Sequence, residues 1–146
     1  MECKTYDHLN FQVIILGSDQ GRKVYTKKLF SLVERYSLTR KIKFISNCNE
    51  MPLAYSLADV VVSASIEPEA FGRVAVEAQS MEKLIIASNI GGSNETIINE
   101  KTGFLFESGN PESLSKKILE VLHLDKSTLK SIGIEGRKNA MKKFIL

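Results

Sequence analysis

Glu69 and Glu77 stand eight positions apart in the stretch Glu67-Pro68-Glu69-Ala70-Phe71-Gly72-Arg73-Val74-Ala75-Val76-Glu77, with Phe71-Gly72 between them. From Arg73 onward, Val74, Ala75, Ala78 and Met81 recur at helical spacing. Glu69 therefore sits on the loop entering a helix, and Glu77 projects from the second turn of that helix. A helix start offers free amide donors and a positive dipole end, which suits a phosphate. Carboxylates beside it accept hydrogen bonds from hydroxyls, the chemistry of ribose and sugar rings. Together these are the parts of a nucleotide-sugar site.

Positioning such a loop requires a buried strand before it, and Val60-Val61-Val62-Ser63-Ala64 reads as one. Strand and helix signals alternate along the whole chain. Strands are expected at Phe11–Leu16, Ile42–Ile45, Val60–Ala64, Leu84–Ser88 and Gly103–Phe106. Helices are expected over Val24–Tyr36, Met51–Leu57, Arg73–Met81 and, briefly, Ser93–Asn99. Asn110-Pro111-Glu112 reads as N-cap, first-turn proline and acidic first-turn residue of a helix running to about Leu124. A last helix spans roughly Ser127–Phe144, with Gly133 and Gly136 weakening it. This alternation implies an α/β fold: a Rossmann-like open parallel sheet flanked by helices, with right-handed crossovers, as a single domain over residues 1–146. Ligands of such sheets bind beyond the carboxyl ends of the strands. Gly17-Ser18-Asp19-Gln20-Gly21 departs from G-x-G-x-x-G, so the dinucleotide fingerprint is absent.

Four stretches carry a resemblance: Ala54 to Ser65, Glu67 to Glu77, Ile90-Gly91-Gly92-Ser93-Asn94-Glu95-Thr96 and Thr102-Gly103-Phe104-Leu105-Phe106. In this order they resemble retaining glycosyltransferases of the two-domain GT-B architecture, most closely family 4 (group 1), over most of the chain from about Phe11. The resemblance implies the C-terminal, donor-binding half of such an enzyme. It also implies that the N-terminal acceptor domain, the first strand of this domain and its diphosphate-neutralising Arg and Lys lie outside the chain. The implied activity is transfer of a hexose from a UDP- or GDP-sugar to a glycan or lipid-linked acceptor. The acceptor would be met through a further domain or a partner chain, so the chain alone is not expected to turn over. No metal or other cofactor is expected.

The resemblance makes Glu77 the acceptor of ribose hydroxyls and places Glu69, the catalytic candidate, near the transferred sugar. Each reads otherwise as a solvated glutamate. Phe71 and Gly72 would offer backbone amides to sugar or diphosphate, while Phe71 also suits plain core packing. The family more often carries Glu-Pro-Phe-Gly, whereas here Glu-Ala-Phe-Gly follows a proline. Arg73 either reaches a phosphate or is an exposed first-turn arginine. Gly17, Gly91 and Gly92 are turn glycines at the binding end of the sheet. Glu95 either touches the donor or caps its short helix. Glu67 is read as flanking, Ser46–Glu50 as a resting place for the base, and His8 and His123 receive no role. Two rival functions stand beside the transferase: a catalytically inactive nucleotide-binding module or split-transferase fragment, and a GT-B-type sugar-nucleotide epimerase.

Composition is that of an ordinary globular chain, 43% hydrophobic and 25% charged. Cys3 and Cys48 lack metal-ligand spacing and fit a reduced, cytoplasmic setting. The first residues lack a signal-peptide apolar region, and no run approaches the roughly 18 apolar residues of a membrane span. The net charge of +3 is unevenly spread. Arg22, Lys23, Lys27, Lys28, Arg35, Arg40, Lys41 and Lys43 form one basic group, and Arg137, Lys138, Lys142 and Lys143 another. They read either as solvated helix faces or as attraction toward donor phosphates or anionic lipid, the latter implying peripheral association at an inner membrane face. Without aromatic-interleaved basic motifs, nucleic acid is not an expected partner.

Overall fold

In the computed structural model, residues 11–46 and 48–144 are described, and the chain divides into two compact units, Met1–Glu50 and Met51–Leu146. Cys3, His8 and Asn47, the last within the expected base-resting segment, lie outside the described residues. The first unit contains β1 (Val13–Leu16), α1 (Lys23–Arg35) and β2 (Ile42–Ile45). β1 and β2 pair in parallel, Val13 opposite Ile42 and Leu16 opposite Ile45. Phe30 of α1 lies over Phe44 of β2 with ring centroids 4.5 Å apart. β1 is shorter than the expected Phe11–Leu16. The Phe11 ring instead lies beneath the Lys41 ammonium, 4.7 Å from its centroid.

The second unit contains α2 (Met51–Leu57), β3 (Val60–Ser63), α3 (Arg73–Ser80), β4 (Leu84–Ser88), α4 (Ser93–Thr96), β5 (Phe104–Phe106), α5 (Pro111–Leu122) and α6 (Lys126–Phe144). Its sheet runs β3-β4-β5, all parallel. β4 is buried along its whole length, which explains its continuous apolar run: a parallel strand covered on both faces cannot alternate with polar residues. Its side chains alternate between two cores, as the period of two requires. Ile85 and Ala87 pack with Tyr55, Ala75, Ala78 and Ile97. Leu84 and Ile86 pack with Phe104, Phe106, Val121 and Ile132. The expected α/β architecture with parallel pairing is therefore present in each unit.

A polar knot ties α6 to this sheet's helices. Gln79 and Asn139, both buried, donate to the Thr96 carbonyl at 2.9 and 2.8 Å, and Asn139 also donates to Gln79 Oε1 at 2.9 Å. They satisfy a carbonyl that the end of α4 leaves without an intrahelical donor. α4 accordingly stops at Thr96, short of the expected Asn99, which instead bridges to Gly103. No buried polar side-chain atom among the described residues lacks a partner. Helix α6 runs through Gly133 and Gly136 unbroken. At both, other residues lie close: an added Cβ would stand 2.3 Å from the Glu82 carbonyl oxygen at Gly133, and 3.1 Å from Gln79 Cγ and 3.2 Å from the Thr102 carbonyl oxygen at Gly136.

The caps follow sequence closely. Asn110 Oδ1 accepts from the amides of Glu112 and Ser113, both at 3.0 Å, opening α5 at Pro111. Asp125 Oδ1 accepts from the amides of Ser127 and Thr128, both at 2.9 Å, opening α6. Hydrogen bonds from the Ser127 and then the Thr128 hydroxyl hold the Asp125 carboxyl well below the usual carboxylate range. A depressed folded-state value means a contribution present above the unfolded carboxyl's value of about 3.9 and lost as pH falls through the lower one. Thermal unfolding of Asp125→Asn against wild type should show a difference above about pH 4 that closes on acidification. A difference constant down to pH 2 would contradict this.

Candidate functional site

The candidate site is built on two loops that leave neighbouring parallel strands. The first follows β3 and enters α3. Gly72 caps α3 with left-handed backbone, φ 64° and ψ 44°, a conformation glycine adopts without steric cost. The first amides of α3, at Arg73 and Val74, have no acceptor among the described residues, as expected at a helix start. The second loop follows β4 and carries Gly91-Gly92 into α4. The two loops meet backbone to backbone. The Gly92 amide donates to the Glu69 carbonyl at 2.7 Å. A side chain at Gly92 would come within 2.4 Å of the Phe71 carbonyl carbon, and one at Gly91 within 2.6 Å of the Glu69 oxygen. The residues following β5 join this rim through Ser108, whose hydroxyl donates to the Ser65 carbonyl at 3.3 Å.

This contact brings Glu69, Phe71, Gly72, Gly91 and Gly92 to one place beyond the strands' carboxyl ends. Glu69 is exposed, its carboxylate accepting from the Ser65 hydroxyl at 2.5 Å. Phe71 is 52% exposed, so it is not a core residue; its ring meets Phe144 of α6 edge-on, centroids 5.5 Å apart. Glu95 is exposed and is the acidic residue of the first turn of α4. Its carbonyl accepts from Lys143 at 3.5 Å. Gly17 belongs to the first unit, where its amide donates to the Ile45 carbonyl at 3.0 Å at the end of β1. Glu67 is exposed. His123 closes α5, its ring nitrogen 2.6 Å from the Leu119 carbonyl.

Glu77 has a hydrogen-bond donor on one oxygen and an ion-pair partner beside the other. The Tyr55 hydroxyl donates to Oε2 at 2.8 Å. Arg73 Nε forms an ion pair with Oε1 at 3.2 Å from a side chain that is 82% exposed, while the Glu77 side chain is 37% exposed. Arg73 is thus an exposed first-turn arginine that pairs along its own helix. A carboxylate offers about four acceptor positions, so acceptor capacity remains on both oxygens beyond Tyr55. Burial, with the Glu77 hydrogen bond second, pushes the Tyr55 hydroxyl well above the ordinary tyrosine range, so it remains a donor. Sequence reasoning passed over Tyr55. The available signal was a tyrosine among apolar positions of α2, since a buried phenol needs a partner for its hydroxyl. Among the described residues no three His, Cys, Asp or Glu side chains gather as a metal-binding group, and no helix is long and apolar enough to cross a membrane.

Residues 3–139 match the family described as Glycosyl transferases group 1. The capsular polysaccharide biosynthesis glycosyltransferase CapM of Staphylococcus aureus is 38% identical over 135 residues, covering 92% of this chain and 34% of that protein. A glycosyltransferase from Rickettsia africae ESF-5 superposes with a TM-score of 0.87 at 36% identity, covering 94% of this chain and 36% of that one. Anabaena Alr3699/HepE, solved in complex with UDP-glucose, has a TM-score of 0.87 at 28% identity, covering 91% of this chain and 36% of that one. The chain spans about a third of the length of the curated relatives it matches.

Proposed function

The chain belongs to the group 1 glycosyl transferases, and on that footing we propose that its second unit binds the nucleotide diphosphosugar donor of a retaining hexosyltransferase. Its fold is the Rossmann-like α/β fold of GT-B glycosyltransferases. The observation that carries the reading is the Gly92 amide on the Glu69 carbonyl, which sets the glycine loop against the Glu69–Gly72 loop at one rim. There the unpartnered amides at the start of α3 meet the diphosphate, with Phe71, Gly72, Gly91 and Gly92 allowing close backbone approach. Glu77 accepts from the ribose hydroxyls, and Glu69 faces the hexose and stabilises developing positive charge. Arg73 adds cationic charge, and Glu95 stands at the donor's edge. In transfer, the anomeric carbon–oxygen bond breaks, its electron pair leaves with the nucleoside diphosphate, an acceptor hydroxyl oxygen takes its place with retained configuration, and the hydroxyl's proton passes to the departing diphosphate. The UDP and UDP-glucose complexes of Anabaena Alr3699/HepE support a nucleotide-sugar donor, which this reading takes as UDP- or GDP-linked.

The acceptor, a glycan or lipid-linked sugar, is met by a further domain or partner chain. The reading includes no metal, and it includes a cytoplasmic location with peripheral contact at a membrane's inner face. The chain by itself should bind donor without turning it over; release of free sugar by the isolated chain would overturn that part. Calorimetry against UDP, GDP, ADP and their sugars tests the whole. A hydrogen bond to a charged acceptor contributes about 1.5–3 kcal/mol, so Glu77→Ala should weaken the best nucleotide at least about tenfold. No binding by any nucleotide, or Glu77→Ala without effect while Glu95→Ala abolishes binding, would sink the assignment.

A further inference from the structure

Glutamate's terminal torsion is broad, so a carboxylate held at one oxygen samples a range of orientations. Arg73 alone would hold Glu77 in that loose way, from a side chain 82% exposed. Tyr55 differs in kind. It is 6% exposed, its ring packs with Ala75 and Ala78 of α3, and its hydroxyl reaches the second carboxylate oxygen at 2.8 Å. With the Tyr55 hydroxyl fixed on Oε2 and the Arg73 cation beside Oε1, the plane of the carboxylate is set, and acceptor capacity remains on each oxygen. Two adjacent acceptor positions at fixed orientation match the vicinal diol of a ribose and not a sugar lacking one of its hydroxyls.

We propose that Tyr55 is the positioning residue that makes this site select ribonucleotides: its hydroxyl orients the Glu77 carboxylate to take both hydroxyls of a vicinal diol at once. The proposal rests on the reading of Glu77 as the ribose acceptor. Because burial and Glu77 keep the Tyr55 hydroxyl protonated, it serves as a donor throughout the physiological pH range.

The test compares UDP and GDP with their 2′-deoxy analogues by calorimetry on the whole chain. Wild type should bind the better ribonucleotide at least about tenfold more tightly than its 2′-deoxy form, the scale of a hydrogen bond to a charged acceptor. Tyr55→Phe should lower that ratio about threefold or more, with affinity for the deoxy form unchanged. Glu77→Asp keeps the charge but draws it back from Tyr55, and should lower the ratio likewise even if Tyr55→Phe fails to fold. A ratio unchanged in both variants, or an equal loss of ribo and deoxy affinity in Tyr55→Phe, would overturn the positioning role. Failure of the underlying reading has a different signature: wild type does not distinguish the two sugars, or Glu77→Ala leaves ribonucleotide affinity intact.

Discussion

Gly92→Ala is expected to lower the stability of the second unit by about 3 kcal/mol and to abolish nucleotide binding. Gly92 has φ −60° and ψ −19°, backbone that alanine adopts freely, so torsional strain plays no part. The cause is contact. The new methyl would lie 2.4 Å from the Phe71 carbonyl carbon and 2.6 Å from the Gly72 nitrogen. Both are backbone atoms at the entrance of α3, with no flexible side chain to move aside. Overpacking costs about 1–3 kcal/mol where neighbours can relax, and here the neighbours are least able to. Relief would come from parting the two loops, which breaks the Gly92–Glu69 hydrogen bond and disperses the residues proposed to hold the donor. Urea unfolding and calorimetry with UDP or GDP on the same variant check both parts. Unchanged stability, or full affinity in a destabilised protein, would show that the loop contact does not organise the site.

Gly133→Ala sets two opposed effects against each other. In a helix interior alanine is favoured over glycine by about 1 kcal/mol, so from helical propensity alone the change should stabilise α6. The side chain would, however, sit 2.3 Å from the Glu82 carbonyl oxygen, in the turn between α3 and β4. Forcing the helix off that turn also disturbs the nearby knot of Gln79, Asn139 and the Thr96 carbonyl. With overpacking near the upper end of about 1–3 kcal/mol, the clash wins, and a net loss of about 2 kcal/mol is expected in chemical denaturation. Ser131→Ala, on the exposed face of the same helix, isolates the propensity term and should change stability by no more than about 0.5 kcal/mol. A stabilised Gly133→Ala would mean that α6 can move away from α3 without loss.

Much of the fold was legible because its signals are local. The bounds of α2, β2 and β4 coincide with the apolar patterns that announced them. The start of α5 follows from Asn110-Pro111-Glu112, a cap whose chemistry is complete within four residues. The Glu69–Glu77 pair was legible as chemistry, and its neighbouring stretches as a family. What escaped were the partners. Tyr55 lies 22 positions from Glu77, and nothing in either helix alone indicates that a phenol on one will close on a carboxylate on the other. The end of α4 was placed too late because the carbonyl that stops it is claimed by Gln79 and by Asn139, 43 positions away from Thr96.

Gly91, Gly92, Gly133 and Gly136 mark the division most sharply. By sequence alone they are two turn residues and two weak points in a helix, since propensity counts only what each residue does to its own segment. In the folded chain Gly92 and Gly133 are where one backbone lies against another, at distances a single methyl group would close. Amino-acid order by itself settled the alternation of parallel strands and helices, the loop that carries Glu69 and the helix that carries Glu77. Tertiary structure alone decided that a glycine loop would seat on that loop and that Tyr55 would grip the carboxylate. Periodicity and capping act over a turn or two, whereas close packing joins atoms that the chain keeps far apart until it folds.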